Sequence, residues 1–186
     1  MKRTFDFLLS FICLFLLLPF LALIAIAIKL TSQGPVVYWS ERVGRGNCIF
    51  AMPKLRTMQV GAPVLATRHM GHPGQYLTPI GSFLRRTSLD EVPQLWCILT
   101  GDMSFVGPRP VLVSETDLLS LRRQEGVDCL TPGLTGWAQI NGRDLVTIAQ
   151  KVAYEKEYMQ RQSFLFDLYI ILLTIPNVLA KTGISH

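Results

Sequence analysis

The sequence lacks the cysteine pattern of a disulfide framework or a zinc site. It has four cysteines among 186 residues, and no two of them are separated by two residues. None has a paired histidine ligand beside it, and Cys13 lies inside a long apolar run. Zinc sites and disulfide-rich domains depend on such spacings. We therefore expect reduced thiols in a protein that faces the cytoplasm.

Signatures of dinucleotide and nucleic-acid binding are incomplete or missing. Gly44-Arg45-Gly46 is only half of a dinucleotide fingerprint, because no third glycine follows it. It predicts a hairpin turn rather than a Rossmann loop. No basic stripe is interleaved with aromatic residues, which argues against nucleic acid as a partner. No internal repeat divides the chain, and its length predicts one domain.

What the sequence does have is one long apolar run near its start. Hydrophobic residues make up 49% of the chain, and the mean hydropathy is +0.34. Phe7–Ile28 is uncharged and 22 residues long, whereas a spanning helix needs about 20 residues. A signal peptide is one alternative, since Ala25-Ile26-Ala27 resembles a cleavage site. The run is longer than the usual apolar core of such peptides, roughly 7–15 residues.

The topology of this run stays open between a span and a re-entrant hairpin. Pro19 lies near its middle, where a proline removes a helical hydrogen bond and forces a kink. Basic residues flank both ends, with Lys2 and Arg3 before the run and Lys29 after it. A spanning helix usually has its basic residues on one side, whereas basic flanks on both sides suit entry and exit on the cytoplasmic face.

The remaining chain predicts an α/β fold that is mostly helical, with short strands and many loops. The predicted strands are Val36–Trp39 and Cys48–Met52, and the predicted helices are Leu89–Leu99, Val111–Glu125 and Thr147–Gln162. Strands this short argue against a large sheet.

Two other segments leave alternatives open. The loop 58–76 is rich in glycine and proline and contains His69 and His72, which either bind a metal or are simply solvated. Ser163–Pro176 is apolar but interrupted by Asp167 and too short to cross a membrane. It is either an ordinary buried helix or an interfacial helix in the headgroup plane.

Asp90 and Glu91 are adjacent carboxylates in an unusual context. Ser88 and Glu91 match a capping box, which predicts a helix capped by Ser88. Pro93 would then cost that helix an internal hydrogen bond, so a start at Leu89 or Asp90 fits better. Both carboxylates would lie at the positive end of the helix, which lowers a carboxylate pKa. Such a group binds Mg²⁺ or attacks phosphorus, and the two side chains, about 100° apart, would have different roles.

Cationic residues in loops point to an anionic ligand. The net charge is +5, which favours an anionic partner. Six of the basic residues lie beside glycine, proline or polar turn residues rather than on regular faces: Lys54, Arg56, Arg85, Arg86, Arg109 and Arg143. Guanidinium groups match phosphate oxygens. Together with a membrane segment, they favour a phosphorylated lipid or an activated sugar.

Five blocks of this sequence carry a family resemblance. They are KRTFDF at the start, Gly34–Tyr38, Lys54–Met58, Thr78–Pro110 and Thr131–Arg143. Across nearly its whole length the chain resembles the bacterial sugar transferases, the monotopic polyprenyl-phosphate phosphoglycosyl transferases.

The resemblance implies an enzyme of the bacterial inner membrane, with its catalytic domain on the cytoplasmic face. Residues 1–30 would form a re-entrant helix broken at Pro19, and residues 31–186 a small catalytic domain with amphipathic helices at the membrane interface. The reaction would transfer a sugar-1-phosphate from a UDP-sugar to undecaprenyl phosphate, with release of UMP and a covalent aspartyl–phosphosugar intermediate. It would begin the membrane assembly of an O-antigen, capsule, exopolysaccharide or glycoprotein, with downstream glycosyltransferases as candidate partners.

The resemblance also assigns roles to individual residues. Asp90 would be the nucleophile, and Glu91 would assist at the metal or the acceptor phosphate, with both carboxylates binding Mg²⁺. Arg85 and Arg86 would hold phosphates, and Pro108, Arg109 and Pro110 would line the nucleotide site. The loop cations Lys54, Arg56 and Arg143 complete the set of expected substrate-binding residues.

The sequence departs from the family pattern at several positions. Leu18 precedes Pro19 where a serine is common, Leu55 replaces a phenylalanine, and Cys97 and Asp144 stand where asparagine is frequent. None of these positions belongs to the Asp90–Glu91 pair. A non-catalytic membrane module that binds polyprenyl phosphate or scaffolds glycosyltransferases is the alternative function.

Overall fold

The computed structural model describes residues 1–63, 73–142 and 146–179. The α-helices of this part of the chain are α1 (Lys2–Thr31), α2 (Gly81–Arg86), α3 (Leu95–Thr100), α4 (Thr116–Gln124), α5 (Trp137–Ile140), α6 (Ile148–Arg161) and α7 (Phe164–Leu179). The strands are β1 (Val37–Val43), β2 (Ile49–Leu55), β3 (Ser104–Val106) and β4 (Gly133–Thr135). The predicted mostly helical fold with short strands is confirmed.

Helix α1 carries one narrow buried stripe on an otherwise exposed apolar surface. Asp6, Ser10, Ile24 and Ile28 are buried, at intervals that place them on one helical face. The opposite face exposes large apolar side chains, among them Phe7, Phe11, Phe15, Leu16, Leu23 and Ile26. By length and composition α1 is the one helix among the described residues that could cross a membrane. The helix continues across Pro19, and its predicted re-entrant topology stays a prediction.

The first turn of α1 is fixed to the rest of the molecule by polar contacts. Lys2 Nζ lies 2.5 Å from Asp167 Oδ2 on α7, and Arg3 Nη2 donates to the Leu99 carbonyl at 2.6 Å. The buried Asp6 accepts a hydrogen bond from Ser104 Oγ at 2.8 Å. These contacts tie α1 to the end of α3 and to β3.

A two-stranded antiparallel hairpin of β1 and β2 forms the next unit. Val37 pairs with Leu55 and Val43 with Ile49, and Arg45–Asn47 makes the turn as a short 3₁₀ helix. Both strands begin one residue later than predicted and extend three or more residues further at their C-terminal ends. The turn predicted at Gly44–Gly46 is confirmed. Gly46 and Asn47 have positive φ angles of 63° and 62°, which suit glycine and asparagine.

A second sheet, of β3 and β4 in parallel, positions the segment that follows β3. Ser104 pairs with Gly133 and Val106 with Thr135. The backbones approach closely here, because a Cβ on Gly133 would lie 2.1 Å from the Gly107 nitrogen. The Gly133 nitrogen also donates to the Pro108 carbonyl at 2.8 Å. The Pro108–Pro110 segment is therefore held against β4.

Of the two longer predicted helices, one begins later than predicted and the other is confirmed. The predicted helix Val111–Glu125 begins only at Thr116, because Val111 pairs with Val43 of β1 as an isolated bridge. The predicted helix Thr147–Gln162 is confirmed as α6, with Thr147 as its N-cap and Gln150 completing a capping box. Tertiary pairing overrides helix propensity in the first case.

The C-terminal apolar segment also differs from its prediction. Helix α7 does not end at Pro176 but contains it. One face buries Phe166, Asp167 and Ile170, while Leu172 and Ile175 are exposed. The buried Asp167 is explained by its contacts with Lys2 and with the Tyr158 hydroxyl, which donates at 2.7 Å. The interfacial role of the exposed face stays a prediction.

The contact between α1 and β3 can be tested with Asp6→Ala. This change leaves the buried Ser104 hydroxyl and the Phe105 amide without their carboxylate acceptor. An unsatisfied buried polar group costs roughly 1–3 kcal/mol, so we expect a loss of this size in the free energy of unfolding. Thermal unfolding in detergent would measure it.

The matched control is Asp102→Ala, because Asp102 is exposed and accepts only from Thr100 among the described residues. We expect it to change stability by no more than about 0.5 kcal/mol. Equal effects of the two substitutions would contradict the anchoring role of Asp6.

Candidate active site

The paired carboxylates lie on a short 3₁₀ helix, Leu89–Gln94, that runs directly into α3. Ser88 precedes it in the left-handed conformation, with φ of 56°, and its side chain makes no capping hydrogen bond. The capping box is therefore absent, and the predicted start at Leu89 is confirmed. Pro93 is accommodated because this segment is a 3₁₀ helix that becomes α-helical only after Gln94.

Glu91 is held by two cations that reach it from different segments. Lys54 Nζ on β2 and Arg109 Nη2 on the Pro108–Pro110 loop both donate to its Oε1 atom, at 2.8 Å and 2.6 Å. Its side chain is only 18% exposed. Burial alone would raise the pKa of Glu91, but the charges and hydrogen bonds of Arg109 and Lys54 hold it well below its usual range. Glu91 is therefore ionised at neutral pH.

Asp90 lies in a different environment from its neighbour. It is buried and accepts no hydrogen bond on its carboxylate from the other described residues. Burial, with a contribution from the negative charge of Glu91, raises the pKa of Asp90 to about 6, although Lys54, Arg85 and Arg109 act in the opposite direction. The expectation that the helix end lowers this pKa is wrong for Asp90, because loss of solvation is larger than the effect of a short 3₁₀ helix.

The predicted cations divide into those near the pair and those elsewhere. Lys54 and Arg109 bind Glu91 directly, and the charge of Arg85 acts on Asp90. Arg85 is oriented by a hydrogen bond from its Nε to Thr57 Oγ1 at 3.0 Å. Arg86 is exposed at the end of α2.

Arg56 and Arg143 are not brought to this site by the described residues. Arg56 is 5% exposed, and its guanidinium donates to the Ser32 carbonyl and hydroxyl at 2.9 Å and 2.7 Å and to the Gln33 carbonyl. It holds the connection between α1 and β1, so its geometry gives no support to the predicted phosphate contact. Arg143 lies outside the described residues, as do His69 and His72.

A buried ion pair, Arg122–Glu155, contacts the loop that carries Arg109. Arg122 on α4 donates from Nε to Glu155 Oε2 on α6 at 2.8 Å, and its Nη2 donates to the Arg109 carbonyl at 3.0 Å. Pro108 and Pro110 are buried on either side of Arg109. Their rigid rings and the Arg122 contact fix the direction in which Arg109 leaves the loop.

Sequence reasoning missed two basic residues near Arg109. Burial, followed by the charge of Arg109, lowers the pKa of Arg42 on β1. Burial, followed by the charge of Arg122, lowers the pKa of Lys151 on α6, to which Arg109 also contributes. Both lie within a regular strand or helix, so a search for loop cations overlooks them. Only the tertiary fold adds their charges to the site.

The pair also borders a cavity of about 430 Å³. Glu91 and Arg109 form part of its wall, together with side chains of β4, α5 and α7. Most of the lining is apolar. No signal in the sequence joined these segments, because β4 and α7 are far from Asp90 along the chain.

The opposite pKa shifts predict opposite effects on stability. A folded-state pKa above the unfolded value gives stability at low pH that is lost as pH rises through the folded pKa. The ionised Asp90 therefore destabilises the fold above about pH 6. We expect Asp90→Asn to raise the free energy of unfolding at pH 7, by an amount on the order of 1 kcal/mol, and to have no effect below about pH 4.

Glu91→Gln is the matched comparison, because the folded pKa of Glu91 lies below its usual value. Its ionised form stabilises the fold above the unfolded pKa, so the substitution should destabilise at pH 7, by roughly 1–3 kcal/mol. That loss should fade as pH falls through the folded pKa. Thermal unfolding from about pH 2 to pH 8 would measure both changes. Shifts of the same sign at pH 7 would show that the two carboxylates do not lie in different environments.

Comparison with known proteins identifies the family. The sequence model of the bacterial sugar transferases matches residues 1–181. The exopolysaccharide production protein ExoY of Sinorhizobium fredii (strain NBRC 101917 / NGR234) is 37% identical over 197 residues, covering 98% of this chain and 87% of that protein. The undecaprenyl-phosphate glucose phosphotransferase of Komagataeibacter xylinus is 41% identical over 95% of this chain.

The UDP-glucose:undecaprenyl-phosphate glucose-1-phosphate transferase of Escherichia coli (strain K12) is 37% identical over 94% of this chain. The chain spans only 35% of the length of the Komagataeibacter protein and 39% of that of the Escherichia coli protein. The long and the short relatives thus match the same part of this chain, nearly all of it, and this part contains the Asp90–Glu91 pair. The chain belongs to the bacterial sugar transferase family.

Proposed function

We propose that this protein transfers a sugar-1-phosphate from a UDP-sugar to undecaprenyl phosphate and releases UMP. Family membership and the names of the relatives support this reaction class. The observation that carries the proposal is the Asp90–Glu91 pair, in which one buried carboxylate accepts no hydrogen bond from the other described residues and its neighbour is bound by Lys54 and Arg109. The reaction would be the first membrane step in the assembly of a glycoconjugate such as an exopolysaccharide.

The proposed reaction consists of two displacements at one phosphorus atom. A carboxylate oxygen of Asp90 attacks the phosphorus that bears the sugar, and the bond to the bridging oxygen of the UDP-sugar breaks, so UMP leaves. The product is an acyl phosphate that joins Asp90 to the sugar. An oxygen of the polyprenyl phosphate then attacks the same phosphorus, and the bond to Asp90 breaks and restores the carboxylate. Splitting the exchange means that the two large substrates need not be bound together.

The environment of Asp90 suits a nucleophile. A carboxylate with a pKa of about 6 is mostly ionised at pH 7 but more basic than an exposed aspartate. Because no described side chain donates a hydrogen bond to it, its lone pairs are available for attack. Lys54, Arg85 and Arg109 lie close enough to act on its charge and would stabilise the negative charge that spreads over the phosphoryl oxygens.

Glu91 has a different proposed task. Its Oε1 atom accepts from both Lys54 and Arg109, so it positions both cations beside Asp90. Its negative charge offsets the repulsion between their positive charges. A glutamate already engaged by two cations is a poor nucleophile. This division of labour is the reason for placing the nucleophile at Asp90 rather than at Glu91.

The pair also fits a Mg²⁺ ion. Mg²⁺ in phosphoryl-transfer sites is typically held by one or two carboxylates together with substrate phosphates, and two adjacent carboxylates are what Asp90 and Glu91 supply. We propose that Asp90 and Glu91 contribute those oxygens. When bound, the ion would neutralise charge on the phosphates of the donor.

The reaction is tested by mixing the full-length protein with Mg²⁺, undecaprenyl phosphate and UDP-sugars, beginning with UDP-glucose, and measuring UMP. We expect UMP release by the parent protein and a loss of at least about 10³-fold with Asp90→Asn, because the amide is not a nucleophile. Asp102→Asn is the control, since Asp102 is exposed and should leave the rate unchanged.

The possible outcomes separate the candidate functions. Release of UDP instead of UMP would indicate direct sugar transfer. No release with any UDP-sugar would favour the non-catalytic module that binds polyprenyl phosphate or organises glycosyltransferases. Full activity of Asp90→Asn would exclude Asp90 as the nucleophile.

We also propose that α1 anchors the protein in one leaflet without crossing the bilayer. Helix α1 is long enough to cross the membrane, since a straight helix of 30 residues is about 45 Å long. Its contacts with the catalytic domain argue against such a span. Contacts with the catalytic domain occur at both ends and in the middle of α1: Lys2 contacts α7, Leu17 packs with the cluster around Leu95 and Ile98, and Ile28 packs with Leu55 and Leu84. A spanning α1 would carry this domain, with its charged site, into the bilayer, which is costly.

The topology is tested with Thr4→Cys and Gln33→Cys, which replace exposed residues at either end of α1. A membrane-impermeant maleimide applied to spheroplasts should label neither variant beyond the parent protein, and both should react after the membrane is permeabilised. Labelling of one end from outside would show that α1 spans the membrane.

A further inference from the structure

The cavity beside the paired carboxylates joins a charged wall to an apolar one. Its volume is about 430 Å³. Glu91 and Arg109 contribute the charged groups, and Phe105, Leu134 and Ile140 contribute apolar surface from three separate segments. Such a wall does not match the polar sugar and phosphates of a nucleotide-sugar, whereas it matches a molecule with an anionic head and a hydrocarbon tail.

Helix α7 brings this cavity to the molecular surface. Ile171 and Ile175 line it, and Ile175 is 54% exposed. The neighbouring side chains Leu172 and Leu165 are 65% and 77% exposed, so the apolar wall continues onto the apolar outer face of α7. A hydrocarbon chain that leaves the cavity past Ile175 would pass along this face rather than into water.

The polar atoms of the cavity wall are few, and one is an unpaired donor. The Thr135 and Thr174 hydroxyls lie 2.7 Å apart and bond to each other. The Gln139 amide nitrogen is buried and has no acceptor among the described residues, and Gln139 is one of the residues that line the same cavity. Buried donors are nearly always satisfied in proteins. Because this nitrogen is not exposed to the cavity, the Gln139 side chain has to rotate before it can donate to an anionic oxygen of a bound ligand.

We propose that this cavity holds the isoprenoid units nearest the phosphate of the acceptor lipid, with the phosphate toward Arg109 and Gln139 and the chain leaving past Ile175. This inference rests on the proposed function and adds the location of the second substrate. The cavity lies within the range of roughly 300–1,000 Å³ found for small-molecule sites, so it holds only the first few isoprene units. The rest of the chain lies in the lipid beside α7.

The test fills the mouth of the cavity without touching the carboxylates. Ile175→Trp places a large ring at a cavity-lining position that is already half exposed. Ile49→Trp is the matched control, because it places the same ring at an isoleucine of similar exposure on β2, outside the lining and away from the outer face of α7. The KM values for undecaprenyl phosphate and for UDP-glucose, or whichever UDP-sugar the parent uses, are measured with full-length protein in detergent. Release of UMP without acceptor is measured alongside them.

We expect Ile175→Trp to raise the KM for undecaprenyl phosphate about tenfold or more, the scale on which apolar pockets discriminate by shape. The KM for the UDP-sugar and the acceptor-free release of UMP should stay at the values of the parent, and Ile49→Trp should match the parent throughout. A second pair, Ile175→Asp and Ile49→Asp, tests the same positions with a charge. Of these two, only Ile175→Asp should weaken binding of the acceptor, so a misfolded tryptophan variant would not end the test.

Unchanged acceptor KM values in both Ile175 variants would overturn the proposal. A rise in the KM for the UDP-sugar instead would assign the cavity to the donor and overturn it equally. Failure of the proposed function is a different result, because the parent protein would then release no UMP with any UDP-sugar.

Discussion

The site depends on the convergence of Lys54 and Arg109 on one oxygen of Glu91. The two cations come from a strand of the hairpin and from the loop after β3, so this contact joins both to the 3₁₀ helix between them. Glu91 is mostly shielded from water, which strengthens its attraction to the cations, and loss of one partner would leave an uncompensated buried charge. Asp90 is the adjacent residue, so the same contact fixes the place of the other carboxylate.

Much of the remaining structure keeps this convergence in position. Arg122, paired with Glu155, donates to the Arg109 carbonyl and so holds the loop. The close approach of Gly107 and Gly133 holds the same loop against β4. Apolar residues of α1 pack against α3. The result is a buried aspartate whose ionisation is unfavourable for the fold. Active sites commonly retain such destabilised groups because the reaction needs them, and the surrounding packing must offset the cost.

The sequence predicted which residues lie together better than it predicted their environment. Short-range signals selected Asp90, Glu91, Lys54, Arg85 and Arg109, which the structure brings close to one another. Pro93 argued against capping by Ser88, which agrees with the missing side-chain cap. The pKa direction of Asp90 was wrong, because burial depends on which segments cover the site. Arg56 has the same residue type and loop context as Arg109, yet it holds the chain after α1. Tertiary folding brings Arg42 and Lys151 close to Arg109 and forms the cavity beside α7. Local sequence patterns do not predict contacts between segments that are distant along the chain.

The central claim is that Asp90, rather than Glu91, forms a covalent bond to the phosphosugar. It is tested most directly by incubating the full-length protein with Mg²⁺ and a UDP-sugar in the absence of acceptor, and then measuring the mass of the intact protein and of its peptides. We predict a mass increase of one sugar-phosphate, located at Asp90, absent in Asp90→Asn and removed by adding undecaprenyl phosphate. An adduct on Glu91, or UMP release to the acceptor without any adduct, would contradict the claim.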